Sequence, residues 1–354
     1  MKTVLVIGAT GVVGAAAVRR LSARSDVRLI GVSRTPRAAE GNLRWLTLDA
    51  QDPADCAAKL SQLPQITHVI YAAIAQGVEA STASEEQANL QMMQNVLQPV
   101  FAHAKGFRHV CVMHGAKAYG VMFGQPRLPF KESDPRYPES NFYYPQEAWL
   151  KRVGEGAGWR WTILRPPMVC GFRAGSPMNA LGVLGAYAAI SHELGMPLRF
   201  PGGRPTMVEA VDVELLAEAI EWCGEEPRAG NEIFNVSNGD CFEWRALWPR
   251  IADVFGMRIG QDYPAPLARV MADKDPVWQR VVERHGLQPH ALRQIVPSWQ
   301  FADFIFRNGD RAGSTLMSTI KIRKAGFAAC EDTEDMYLRH LRALQDDKVF
   351  PRFG

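Results

Sequence analysis

Residues 4–14 read Val4-Leu5-Val6-Ile7-Gly8-Ala9-Thr10-Gly11-Val12-Val13-Gly14. A short β-branched run ending in glycine predicts a buried strand. The Ala-rich stretch from Gly11 to Leu21 then has helical spacing. The three glycines between them answer three demands. Gly8 permits a tight turn, Gly11 lets backbone N–H groups approach a pyrophosphate with no Cβ in the way, and Gly14 lets the helix pack close to the strand. Thr10, Val12 and Val13 complete the cradle, and the helix N-terminus turns partial positive charge toward the phosphates. A strand before and a helix after are what turn a weak glycine pattern into a dinucleotide signature.

Outward from this turn the same alternation continues. Strands are predicted over Val27–Val32, Leu43–Leu48, His68–Tyr71, His109–Met113 and Trp161–Leu164. Helices are predicted after Asp52-Pro53, with Ala57, Leu60 and Leu63 on one face, and over about Glu85 to His103. Alternating strands and helices imply an α/β fold, a Rossmann-type doubly wound parallel sheet. The ligand of such a sheet sits at the carboxyl ends of its strands. The division expected is a Rossmann domain over 1–175 and a smaller, mainly helical substrate lobe over 176–354, with some of its chain returning to the sheet. From about Met178 the alternation is expected to break down. Asp212 is expected to cap a helix, and further helices are expected over Arg245–Phe255, Asp275–His285 and Asp332–Leu344.

Composition excludes several classes. The chain has 354 residues, 47% hydrophobic and 22% charged, with a net charge of +3. That charge is too small and dispersed to argue for nucleic acid or a membrane surface. No apolar run reaches membrane-spanning length, and the strand beginning at Thr3 is too short for a signal peptide. The cysteines at 56, 111, 170, 223, 241 and 330 show no CxxC and no zinc-ligand spacing, so no metal is expected and a reducing, cytoplasmic setting is.

The end of the second strand selects the cofactor. It reads Gly31-Val32-Ser33-Arg34-Thr35-Pro36-Arg37, with no acid to accept from the ribose hydroxyls. A guanidinium suits a 2′-phosphate by charge and by its fork of donors, so Ser33 and Arg34 point to NADPH. Tyr71-Ala72-Ala73-Ile74 ends the fourth strand, where small residues can pass beside the ribose and nicotinamide.

The spacing GxxGxxG is similar to that of the extended and atypical short-chain dehydrogenase/reductases. Such enzymes normally carry Tyr-x-x-x-Lys on a helix beside the nicotinamide, the lysine lowering the tyrosine pKa from one turn away. Here Tyr143 is followed by Glu147, Tyr144 by Ala148, and Tyr119 has no lysine at the needed spacing. Asn141-Phe142-Tyr143-Tyr144-Pro145-Gln146-Glu147 and His114-Gly115-Ala116-Lys117-Ala118-Tyr119-Gly120 instead resemble the progesterone 5β-reductase/iridoid synthase-like enzymes. Arg165-Pro166, Gly171-Phe172, Met178-Asn179, Leu198 to Gly202, Phe234 to Asp240, Pro276-Val277-Trp278 and Ser298-Trp299 extend the resemblance to the C-terminal half.

The resemblance implies that Tyr143 and Lys117 are catalytic and also touch the cofactor. It implies an adenine contact at Asp49 and Ala50, a nicotinamide face at Pro167, Met168 and Val169, and a substrate wall of Ile74, His114, Met178, Asn179, Trp299 and Phe301. Departures from the family pattern are His114 for threonine, Ala118 for histidine, Ala148 for the final acid, and Pro167-Met168-Val169 for Gly-Asn-Ile. These bear on substrate preference more than on reaction type. The activity implied is NADPH-dependent conjugate reduction of a small enone or enal. A carbonyl reductase or epimerase, and a non-catalytic NADP-sensing regulator, stand as alternatives. A homodimer is a family expectation only. The physiological substrate is not legible.

Overall fold

The computed structural model describes residues 1–75, 82–121, 127–307 and 313–353. Its strands are β1 (Lys2–Ile7), β2 (Val27–Ser33), β3 (Leu43–Thr47), β4 (His68–Tyr71), β5 (His109–Met113), β6 (Arg160–Arg165), β7 (Met168–Cys170), β8 (Ala210–Asp212) and β9 (Glu232–Asn235). Seven pair side by side in the order β3-β2-β1-β4-β5-β6-β9, every pair parallel. The order reverses between β1 and β4, so a crevice opens at the carboxyl ends of those two strands. The six strands expected from the sequence are all present, to within a residue or so at their ends.

The helices are α1 (Val12–Ser22), α2 (Pro53–Leu60), α3 (Thr82–His103), α4 (Tyr143–Gly154), α5 (Ala180–Glu193), α6 (Val213–Glu225) and α7 (Trp244–Val254), followed by α8 (Leu267–Val270), α9 (Asp275–His285), α10 (Leu292–Ile295), α11 (Trp299–Ile305), α12 (Ile320–Ala325) and α13 (Thr333–Asp346). Side chains alternate across each strand. Val4 and Val6 therefore pack with Ala17 and Leu21 of α1 and Leu216 and Ile220 of α6. Leu5 and Ile7 pack on the opposite face with Leu60 of α2, Val96 and Val100 of α3 and Leu150 of α4.

The alternation extends further along the chain than expected. The strand–helix alternation does not end near Met178, because β8 runs directly into α6, and α6 returns the chain to β9 at the sheet edge. Asp212 does cap α6, accepting from Glu214 N at 3.1 Å. That helix belongs to the sheet layer rather than to the second lobe. Strands of three and four residues are too short to show a period, which is why β8 and β9 escape a pattern search.

The rest of the C-terminal half gathers around α5, which is buried on nearly every side. Its small residues allow this. A Cβ at Gly185 would fall 2.3 Å from the Phe350 ring, and one at Gly182 would fall 2.3 Å from the Ile295 carbonyl oxygen. Among the described residues no helix is long and apolar enough to cross a membrane, and no cluster of His, Cys, Asp and Glu could hold a metal. All six cysteines are unpaired.

Candidate active site

The glycine turn lines the crevice with backbone. Gly8 has φ +80°, and a Cβ there would fall 2.2 Å from the Ala72 carbonyl oxygen. A Cβ at Gly14 would fall 2.1 Å from the Gly8 oxygen. Both glycines are required by close packing. At Gly11 the one near atom is the Gly8 oxygen at 3.3 Å, so this residue faces open space. Gly11 is also the N-cap of α1, with no side-chain cap and no acid in the first turn. The N–H groups of that turn, in the segment of Thr10, Val12 and Val13, are left for a ligand. These residues fit the pyrophosphate of a dinucleotide.

The next strand ends supply the rim. Ser33 closes β2, and its Oγ accepts from Thr35 N and from Arg37 Nε, each at 3.3 Å. The Arg37 guanidinium lies over the Trp45 ring at 5.2 Å, and Arg34 is exposed beside it. Asp49 accepts from Gln51 N at 3.0 Å, which fixes the turn after β3. Asn95 of α3 holds that turn by donating to the Ala50 oxygen at 3.2 Å.

After β4 the reading needs a correction. Tyr71 is 1% exposed and its ring lies in the core with Leu48 and Cys56, so only its main chain reaches the crevice. Ala72 and Ala73 carry the chain past the glycine turn to Ala75, whose N–H donates to Asn89 Oδ1 at 2.9 Å. Ile74 is exposed on the rim.

Tyr143 and Lys117 come together through Asn141. Lys117 lies in a 3-10 turn after β5, and Tyr143 is the first residue of α4. Asn141 is buried between them, donating from Nδ2 to the Lys117 oxygen at 2.9 Å and accepting at Oδ1 from Tyr143 N at 3.1 Å. Tyr144 adds a second tie, donating from its hydroxyl to the Ala118 oxygen at 2.9 Å. The Tyr143 hydroxyl rests against Gly115, where a Cβ would come within 3.4 Å of it. Burial pushes the pKa of this hydroxyl up, and the Glu85 carboxylate pushes it further, so it stays protonated. Glu85 of α3 also faces Lys117, with Oε2 3.6 Å from Nζ. The Lys117 ammonium lies 5.2 Å from the Phe142 ring centre.

His114 is a second correction. It was expected on the substrate wall, but its ring is 5% exposed and stacks on the Tyr143 ring at 4.3 Å. Both ring nitrogens are covered and make no hydrogen bond of good geometry. Burial, then the nearby Arg165 charge, hold its pKa well below the usual histidine value, so the ring is neutral. His114 supports Tyr143 from behind rather than facing a substrate.

Behind this stack lies a charge pair that sequence reasoning missed. Glu147 occupies the position one turn beyond Tyr143 and is 5% exposed. Its Oε2 accepts from Arg165 Nη2 at 2.8 Å and its Oε1 from Lys151 at 2.7 Å, with Arg136 at 3.5 Å. Burial alone would raise the Glu147 pKa, but these three cations outweigh it and hold the group ionised. The long sequence separation of Glu147 and Arg165 hides the pair; an acid where a lysine is expected was the available signal.

The turn from β6 to β7 closes one side. The Pro166 oxygen accepts from Ala116 N at 3.0 Å, tying this turn to the lysine loop. Pro167, Met168 and Val169 then stand where the two halves meet, Met168 packing on the second-lobe core and Val169 on α1 and α6. Asn179 is a third correction. It is 2% exposed and its amide is fully engaged, accepting from Gly182 N at 2.9 Å and donating to the Arg173 and Ile295 oxygens. It caps α5 and does not line the cleft. Met178 beside it is exposed, and Trp299 and Phe301 are half-buried against the second-lobe core.

Comparison with known proteins agrees with this architecture. Residues 4–237 match the NAD dependent epimerase/dehydratase family. The chain is 33% identical to the (S)-8-oxocitronellyl enol synthase ISY2 of Nepeta cataria, covering 98% of this chain and 91% of that one. It is also 33% identical to the 3-oxo-Δ(4,5)-steroid 5β-reductase of Arabidopsis thaliana, covering 98% and 92%. Among solved structures, the UDP-glucose 4-epimerase of Thermotoga maritima superposes with a TM-score of 0.67 at 16% identity, over 96% of this chain and 99% of that one. RMD from Pseudomonas aeruginosa, complexed with NADPH, gives 0.65 at 18% identity over 99% and 98%. The chain belongs to the NAD dependent epimerase/dehydratase family and, within it, to the group of the iridoid synthases and progesterone 5β-reductase-like proteins.

Proposed function

We propose that the protein is an NADPH-dependent reductase of the carbon–carbon double bond in α,β-unsaturated carbonyl compounds. The observation that supports this chemistry is the tie that Asn141 makes between the main chains of Lys117 and Tyr143. The relatives named above are enol synthases and a steroid 5β-reductase acting on a 3-oxo-Δ(4,5) steroid, which is an enone. The absence of an acid after β2, with Ser33, Arg34 and Arg37 in its place, favours the phosphorylated dinucleotide.

When bound, the reduced nicotinamide supplies a hydride for the β-carbon of the substrate. The π electrons of the double bond then move toward the carbonyl oxygen, which becomes an enolate. Tyr143 donates a hydrogen bond to that oxygen, and its raised pKa keeps the proton on the donor; a proton from solvent, taken up at the α-carbon of the enolate, completes the saturated carbonyl product. In this reading Lys117, which faces Glu85 in the structure, would supply positive charge to the same oxygen and to the ribose. His114 holds the Tyr143 ring by stacking and, being neutral, adds no charge that would compete for the enolate. Hydrogen bonding to an enolate needs a positioned donor, whereas reduction of a plain ketone needs full proton delivery to an alkoxide.

Six unpaired cysteines suit a reducing cytoplasm. The domains proposed are 1–175 and 176–354, with α6 and β9 of the second segment returning to the sheet.

The test is to incubate the protein with 4-deuterated NADPH and 2-cyclohexen-1-one. Deuterium is expected at the β-carbon of cyclohexanone. Deuterium on the carbonyl carbon, giving an allylic alcohol, would overturn the conjugate reading. Tyr143→Phe is expected to collapse turnover while NADPH binding survives; unchanged turnover removes Tyr143 from the mechanism.

A further inference from the structure

Arg173 carries a charge that the fold leaves unanswered. The chain leaves β7 through Gly171, where a Cβ would fall 2.9 Å from Val12 Cγ1 and 2.8 Å from Val213 Cγ1. Val12 is the first residue of α1, so this segment crosses the sheet's phosphate end at van der Waals contact. Two residues on, the main chain of Arg173 is fixed. Its carbonyl accepts from Ser176 N at 3.1 Å and from Asn179 Nδ2 at 3.4 Å, and Gly175 N donates to the Gln294 oxygen at 2.6 Å.

The side chain is half-buried and, among the described residues, makes no hydrogen bond or ion pair. The charges it feels are two more guanidiniums, those of Arg37 and Arg19, and they add to burial in lowering its pKa. Arg19 is answered by Glu214 at 2.5 Å. Arg37 rests on the Ser33 hydroxyl and the Trp45 ring and has no carboxylate among the described residues. Two cations without a counter-charge thus meet between the end of β2 and the start of α1. Arg37 is exposed and Arg173 half-buried, and two like charges held near one another repel unless an anion completes the set. In a doubly wound sheet, this opening is where the adenosine ribose lies.

We propose that Arg173, reaching across from the chain that caps α5, binds the 2′-phosphate of the dinucleotide together with Arg37. This rests on the NADPH reading above and extends it to a residue from beyond the β2 loop. A guanidinium can meet a phosphomonoester with two parallel donors, and a neutral hydroxyl in its place offers no partner for that charge. The phosphate thereby links the sheet to the segment that sets α5, because the Arg173 carbonyl is bound by the α5 cap residue Asn179.

The test is dissociation constants, read by NADPH fluorescence and by calorimetry, for NADPH, NADH, 2′,5′-ADP and 5′-ADP. Arg173→Gln is expected to weaken NADPH and 2′,5′-ADP by about tenfold or more and to leave NADH and 5′-ADP within about twofold. Arg173→Met, which keeps the packing of the stem, is expected to do the same and serves if the glutamine variant does not fold. Equal weakening of all four ligands would place Arg173 at the pyrophosphate and overturn the proposal, as would unchanged constants. If the wild-type protein binds NADH as tightly as NADPH, the cofactor reading itself fails. If it prefers NADPH and the variants keep that preference, the inference alone fails.

Discussion

Replacing Asn141 tests the central geometry of the site. Asn141→Ala removes the acceptor of Tyr143 N and one donor to the Lys117 oxygen. The Lys117 oxygen keeps a bond from Gly120 N at 3.1 Å, so the change orphans one buried group fully and the other in part. That is worth about 1–3 kcal/mol of stability, a fall of a few degrees in the thermal midpoint. The larger effect is on rate. With the bridge gone, the Tyr144–Ala118 bond still ties the two segments but no longer fixes the Tyr143 and Lys117 main chains against each other, and a displacement on the order of 1 Å costs about a hundredfold. Asn141→Asp sharpens the test, since its Oδ1 can still accept from Tyr143 N while its other oxygen would face the Lys117 carbonyl. Its kcat is expected to fall at least as far as that of the alanine variant. The assay is enone-dependent loss of NADPH absorbance, with NADPH affinity measured in parallel by fluorescence and expected to hold. An alanine variant that melts lower yet keeps kcat within about twofold would refute the reasoning, because Asn141 would then serve the fold and not the pair.

Three further predictions follow from other parts of the molecule. Gly14→Ala is expected to lose both stability and NADPH binding, because its Cβ would meet the Gly8 backbone; Gly11→Ala should melt near wild type yet bind NADPH about tenfold more weakly, as seen by melts and titrations. Glu85→Gln releases Lys117 from its 3.6 Å partner, so NADPH should bind up to about fivefold more tightly, an effect bounded by the ~1 kcal/mol of a half-exposed pair; weaker binding would contradict it. His68 and His109 are buried and neutral, with pKa values lowered to about 4 and about 3 by burial. Their stabilising contribution is therefore complete above the unfolded value near 6.5 and is lost as pH falls toward 4 and 3, at roughly 2 kcal/mol each by pH 5; urea unfolding between pH 7 and 5 reads this, and a flat profile would exclude it.

The fold was legible where the chain speaks locally. Val4–Ile7, the glycine turn and the Ala-rich helix are contiguous, and each glycine has its own steric reason. The edge strand β9 and the separate β7–β8 pair were not, because strands of three and four residues are too short to carry a period and owe their conformation to their neighbours. Tyr71 was misread although a signal existed: it shares a strand face with Val69, which faces the core. Asn179 likewise stands just before Ala180-Leu181-Gly182-Val183, a position where asparagine caps helices. Tyr143 and Lys117 were legible only through a motif spread over two segments. Glu85 and Asn89 were not legible, and of the Glu147–Arg165 pair only the acid in place of a lysine could be read, since their partners lie on different elements and only folding brings them together.

Glu147 has a bearing on how this site could be rebuilt. A designer wishing to restore the usual tyrosine–lysine spacing would write lysine at 147. That lysine would sit in the place of the carboxylate that now neutralises Arg165, 2.8 Å from the guanidinium, with Lys151 and Arg136 close by. Four cations would then cluster with no carboxylate among them, the one at 147 and Arg165 buried and Lys151 and Arg136 about half exposed. The conventional arrangement is thus closed to this site, because the position one turn beyond Tyr143 is already taken by the buried carboxylate that Arg165 requires, and the lysine is left to the β5 loop.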